Sequence, residues 1–197
     1  MKVSVPAEGY AEISRIGNLY VVHLDGVQNG DMVECYEYIT EDTPDVSQLQ
    51  EDLVTWKNYI AEKELHFAKE TKCKDLLKYD SSDAVNSFEI RRNGVKITDY
   101  WLDRDLRTSL EGDVTACSKV KNTYNFDIRE LGITLELNCQ KFLAALGVLR
   151  QYAYTAYNVT SQHLATINQL TSVQDVQNYN FTTGYPEKLV FDLEDLI

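Results

Sequence analysis

No run of lysine or arginine in this chain exceeds two residues, and its 197 residues carry a formal net charge of −12. A surface that tracks DNA or RNA needs a basic stripe to displace counterions, so no nucleic-acid partner is expected. The same deficit disfavours an anionic bilayer surface. No stretch of about 18 apolar residues occurs, so no membrane-spanning helix is expected. The opening MKVSVPAEGY lacks the apolar run of a secretion signal. Cys35, Cys73, Cys117 and Cys139 form no Cys-x-x-Cys pair. Each sits in an apolar or helical context, which reads as a free thiol in a reducing compartment. The patterns of zinc sites, EF-hands, P-loops, dinucleotide-binding turns and nucleophile elbows are absent as well.

What the chain does have is tyrosine, thirteen against two methionines. Tyrosine buries a broad ring while keeping its hydroxyl wet, which suits interfaces. The first forty residues read as β structure. YAEISRI alternates, NLYVVHL is β-branched and aromatic, and DMVECYEYIT resumes after an irregular loop expected over Gly26 to Asp31. Thr43 is placed to cap a helix with Pro44 in its first position. Val46, Leu49, Leu53 or Val54, Trp56 and Ile60 then recur at steps of three and four as one apolar stripe, and the helix is expected to reach Leu77. Phe67 extends the seven-residue spacing of Leu53 and Ile60. Lys63 and Glu70 interrupt the alternate seam, which favours packing within one chain over a self-paired coiled coil.

Beyond the turn-rich YDSSDAVN the period returns to two, and Asn93-Gly94 marks a tight hairpin. DYWLDRDLRTSLEGDVTACSKVK reads as a helix with Trp101, Leu102, Leu106 and Leu110 inward. TYNFDIRELGITLELN gives two strands about Glu130-Leu131-Gly132. CQKFLAALGVLRQYAYTAY is a helix whose inner face carries Phe142, Leu146, Leu149, Ala153 and Tyr157. Val159-Thr160 ends it, and Thr160 caps a shorter helix with Leu164, Ile167 and Leu170. Ser172 and Asp175 resemble a capping box for another, and KLVFDL reads as a closing strand. The fold class is therefore α+β: a small antiparallel β module over 1–42, a linking helix over 43–80, and a helical domain with β-hairpins over 81–197.

His163, amid Tyr152, Tyr154 and Tyr157, is the strongest single candidate for catalysis. A general base needs an orienting carboxylate and something to activate, and its helical neighbours Val159, Thr160, Thr166 and Ile167 offer neither. His163 is accordingly read as a structural hydrogen-bonding group. His23 on a strand and His66 on a charged helix face carry no motif. Asp103 with Asp105, and Glu111 with Asp113, point roughly 200° apart on a helix and cannot share a cation, while Arg104 and Arg107 suit weak surface ion pairs. No catalytic, cofactor-binding or metal-ligating residue is assigned.

SSDAVNSFEI, YWLDRDLRTSLEGDV and the long stretch from Leu137 to Phe191 resemble an uncharacterised domain family of tailed phages and prophages. Such domains occur in tail, tail-fibre and other virion-associated proteins. The resemblance spans about 81–191 and is carried most by Tyr152-Ala153, Tyr157-Asn158-Val159-Thr160, His163 with Ile167, and Gly184-Tyr185-Pro186. It implies a virion-associated structural role with no catalytic activity or cofactor, assembled in the bacterial host cytoplasm. The implied partners are phage tail, fibre or neck proteins, with a homo-oligomer expected. The alternatives are a tail-fibre chaperone not retained in the virion and an unfamiliar enzyme.

Overall fold

Valine, isoleucine and tyrosine at alternate positions build the first sheet, in the order β1-β4-β3-β2 from β1 (Lys2–Pro6), β2 (Ile13–Ile16), β3 (Leu19–Asn29) and β4 (Met32–Thr40). All neighbouring strands are antiparallel. The computed structural model describes residues 1–128 and 132–197. The fold is α+β, as the sequence pattern predicts, and it divides into two compact units, Met1–His66 and Phe67–Ile197.

In the first unit the irregular loop expected over Gly26 to Asp31 is not found. Strand β3 runs on to Asn29 and turns through Gly30 and Asp31 alone. The extra length is absorbed within the strand. Between the pairs Leu24–Tyr36 and Val27–Glu34, Asp25 and Gly26 together oppose Cys35, a bulge with Asp25 at φ 59°. One face of the sheet, through Val22 and Leu24, packs on Leu53 of helix α1 (Val46–Asp80), with Tyr36, Val46 and Leu49 at the margin. Segment 7–12 runs beside β3, where Tyr10 stacks on His23 at 5.6 Å and Ala11 accepts a 2.9 Å bond from His23 Nδ1.

Helix α1 begins two residues later than the expected Thr43 cap allows. Asp45 is the capping residue, its Oδ1 accepting from the Gln48 N–H at 3.2 Å, and Pro44 lies outside the helix. A carboxylate beside the exposed N–H groups of a first turn gains from the helix dipole, an advantage a threonine hydroxyl lacks. The helix also continues past Leu77 to Asp80.

In the second unit β5 (Phe88–Arg92) and β6 (Val95–Tyr100) form the predicted hairpin. Asn93 and Gly94 both sit at positive φ, 51° and 76°, as the tight turn requires. The predicted strand near KLVFDL is β9 (Val190–Asp192), which lies parallel to β5 and completes a sheet ordered β6-β5-β9. Helix α2 (Arg104–Cys117) starts after Asp103, whose carboxylate accepts from Leu106 N at 2.8 Å. Trp101 and Leu102 precede it, and Leu106, expected inward, is exposed; Leu110 and Val114 are the buried positions. Leu106 lies about 40° around the axis from Leu110 and 80° from Val114, at the edge of the buried stripe and in the first turn of the helix.

Strands β7 (Thr123–Ile128) and β8 (Ile133–Asn138) pair antiparallel. Of the turn predicted between them, Glu130 and Leu131 lie outside the described residues. Asn138 caps α3 (Cys139–Gln169), a single helix of 31 residues. The expected break at Val159-Thr160 does not occur: Thr160 is buried, and its hydroxyl bonds to other segments instead of capping a new helix. The inner stripe of α3 runs through Phe142, Leu146, Leu149, Tyr152, Ala156, Thr160 and Ile167, and Tyr157, expected inward, is exposed. A helix advances 3.6 residues per turn, so a buried line held over eight turns must shift from steps of four to steps of three. Short helices α4 (Val173–Asn178) and α5 (Leu193–Leu196) follow, the first capped at its N-terminus by Ser172, whose Oγ accepts from the Asp175 N–H and donates to the Asp175 carboxylate. The core gathers Phe88, Ile90, Val114, Ile128, Leu137, Phe142, Leu146, Leu149 and Leu193.

Candidate functional site

Two groupings of polar and aromatic side chains stand out in the second unit, and the first surrounds His163. Its Nε2 lies 2.9 Å from the Thr183 carbonyl, which can only accept, so this nitrogen carries the proton. Nδ1 then accepts from the Tyr179 hydroxyl at 2.7 Å. Tyr179 and Tyr185 flank the imidazole with ring centroids 5.6 and 5.9 Å away. Both ring nitrogens are committed to structural partners, a phenol and a backbone carbonyl, and neither partner is a carboxylate.

Beside it, Thr160 Oγ1 donates to Asp80 Oδ1 at 2.5 Å and accepts from the Tyr185 hydroxyl at 2.8 Å. Burial pushes the Tyr185 phenol up from its ordinary value, which keeps it a neutral donor. Tyr79 packs edge-on to Tyr185 and against Phe181. Lys69 and Lys72 donate to the Asn168 and Gln177 carbonyls at 2.7 and 2.8 Å, satisfying groups near the ends of α3 and α4. The cluster therefore fastens residues 179–185 and the last turns of α1 to α3. It holds a shape, and both nitrogens of its imidazole are taken up in doing so.

The second grouping is a groove of about 690 Å³ lined mainly by α2, α3 and the segment before α2. Ala153 and Ala156 line it beside the larger side chains, their methyl groups leaving space. Trp101 is held by the edge of Tyr152 at 6.3 Å and by the Arg107 guanidinium 5.1 Å over its ring. Arg107 also donates to the Leu102 carbonyl. Burial, with Arg150 and Arg104 nearby, lowers the proton affinity of Arg107, while Asp103 opposes the shift. Arg150 pairs with Glu111. The Arg104 guanidinium has no hydrogen bond or ion pair among the described residues. Tyr154 and Tyr157, 60% and 67% exposed, stand on the α3 side.

The residues singled out from sequence are thus scattered. His163 is a structural staple, His23 belongs to the first sheet, and His66 lies exposed on α1. Asp103 is a helix cap and Glu111 an ion-pair partner, while Asp105 and Asp113 are exposed. Arg107, expected in a surface ion pair, is instead half-buried against Trp101. Sequence reasoning missed the groove, although Arg150, Tyr154 and Tyr157 at steps of four and three were a signal for one helix face. Among the described residues no group of three or more His, Cys, Asp or Glu side chains is placed to hold a metal ion. No helix among them is long and apolar enough to cross a membrane. Compared with known proteins, the chain matches no family model, no curated protein and no solved structure.

Proposed function

We propose that the protein is a virion-associated structural component of a bacteriophage or prophage, in the tail, tail fibre or head–tail region, acting through protein–protein contacts. The family resemblance over 81–191 supports this reading. The observation that carries it is the apolar surface on the part of α1 within the first unit, where Trp56 and Tyr59, three residues apart on one side of the helix, are 51% and 55% exposed. Two large aromatic side chains on one side of a helix leave apolar area in water that a partner would cover, at about 25 cal/mol per Å² removed. The partners are other phage structural proteins, and a homo-oligomer is expected because phage appendages repeat around a symmetry axis. The reading assigns no catalytic residue, cofactor, nucleic acid or membrane.

Mass spectrometry of purified virions tests it directly. The protein is expected there in fixed proportion to tail proteins. Capture of fibre protein from lysate together with absence from the particles would instead identify a chaperone. Light scattering on the isolated protein gives the oligomeric state, which Trp56→Ser with Tyr59→Ser is expected to reduce.

A further inference from the structure

The α2–α3 groove combines features that one kind of ligand uses together. Its volume falls within the roughly 300–1,000 Å³ of small-ligand sites. Three guanidinium groups (Arg104, Arg107, Arg150) and three carboxylates (Asp80, Asp103, Glu111) share its lining. A polyanion such as nucleic acid would meet those carboxylates and the −12 charge of the chain, so it is a poor fit. A purely apolar ligand would desolvate the Arg104 guanidinium, which has no hydrogen bond or ion pair among the described residues. An extended peptide pairing by its backbone needs an open strand edge, whereas the principal walls are helices whose backbone groups bond internally.

A sugar ring suits the combination. Each hydroxyl both donates and accepts, so it uses a carboxylate and a guanidinium side by side. The C–H faces of the ring are apolar and lie flat on aromatic rings, of which the exposed Tyr154 and Tyr157 offer two. Arg150 is engaged by Glu111, and Arg107 is fixed on Trp101 and Leu102, which leaves Arg104 as the guanidinium available to an incoming carboxylate. We infer that the groove between α2 and α3 binds an acidic glycan, with its carboxylate on Arg104 and its ring faces on Tyr154 and Tyr157. This site stands independently of the virion role proposed above.

The chain has two tryptophans, so Trp56→Phe leaves Trp101 as the sole indole reporter inside the groove. This full-length variant is screened on an array of uronate- and sialate-bearing glycans, their neutral counterparts and a hexaglutamate peptide, and hits are titrated by Trp101 fluorescence. Saturable binding of at least one acidic glycan is expected, with its neutral counterpart weaker. Arg104→Gln, which loses a charge-assisted contact, and Tyr154→Ala, which loses a ring face, both at exposed positions, are each expected to weaken it roughly tenfold, with an unchanged melting curve. Silence across the array into the millimolar range overturns the inference. So does equal binding of hexaglutamate, which would mark an acidic-peptide site, or binding indifferent to both variants.

Discussion

The hydroxyl of Tyr152, on the buried stripe of α3, donates a 2.9 Å hydrogen bond to the backbone carbonyl of Val85, itself fully buried. The bond joins the middle of the long helix to the turn that precedes β5. Burial raises the Tyr152 phenol above its ordinary value, so it remains a donor throughout the neutral range. Tyr152→Phe keeps the ring and strands the carbonyl. A loss of about 1–3 kcal/mol in urea unfolding is expected; no loss would mean that water reaches Val85.

His163→Ala removes both bonds of the imidazole and leaves the Tyr179 hydroxyl and the Thr183 carbonyl without it. The expected cost is about 1–3 kcal/mol in thermal or urea unfolding, with partner binding unchanged at temperatures where the variant stays folded. Selective loss of binding with an unaltered melting curve would contradict the structural role.

A Cβ at Gly26 would lie 2.4 Å from the Tyr10 hydroxyl and 3.1 Å from a Val33 methyl. Gly26→Ala must therefore push Tyr10 away from its stack on His23, and overpacking of this kind costs about 1–3 kcal/mol. Nuclear magnetic resonance of the His23 ring protons reads the displacement, since they lose the ring-current shift of Tyr10. Unmoved His23 signals would show that the bulge yields instead.

Leu76 is fully buried, and Tyr79 and Asp80 bond or pack within the second unit, whose boundary falls between His66 and Phe67. A chain starting at 67 is expected to melt cooperatively. One starting at 81 lacks Leu76, a loss of about 2–5 kcal/mol by analogy with leucine truncation, together with the Asp80–Thr160 bond. Equal melting temperatures for the two would show that the end of α1 adds nothing to that unit.

Asp99 accepts hydrogen bonds from Lys188 at 2.7 Å and Lys96 at 2.9 Å, and these hold its carboxyl below its ordinary value. A depressed carboxylate contributes stability above the unfolded-state value and loses it as pH falls through the lower folded-state value. Asp99→Asn is therefore expected to lower the urea midpoint modestly at neutral pH. The gap should close on acidification past the usual carboxylate range; a gap that persists would assign the effect to shape.

The parts of this fold legible in sequence are those whose cause is local. Asn93-Gly94 takes two positive φ values, and few residue pairs do that cheaply, so the hairpin could be read directly. Ser172 and Asp175 cap each other three residues apart. Thr160 shows the limit. Its sequence neighbours favour a cap, but its hydroxyl is taken by Asp80 and Tyr185 from distant segments, and the helix runs through it. The groove was hidden for the same reason, because Arg150 is far along the chain from Trp101 and Arg107 and only the packing of α3 against α2 brings it to the same groove. For His163 the missing carboxylate was already visible, whereas its partners Tyr179 and Thr183 depend on how residues 179–185 fold back.

The parallel pairing of β9 with β5 has a bearing on how the protein is made. On the ribosome, the Asn93-Gly94 hairpin emerges long before its third strand is translated. Until then the β5 edge stays open to any extended chain nearby, including a sister copy on the same polysome. Slow decoding between the two segments would lengthen that exposure, and holdase chaperones would find their target there.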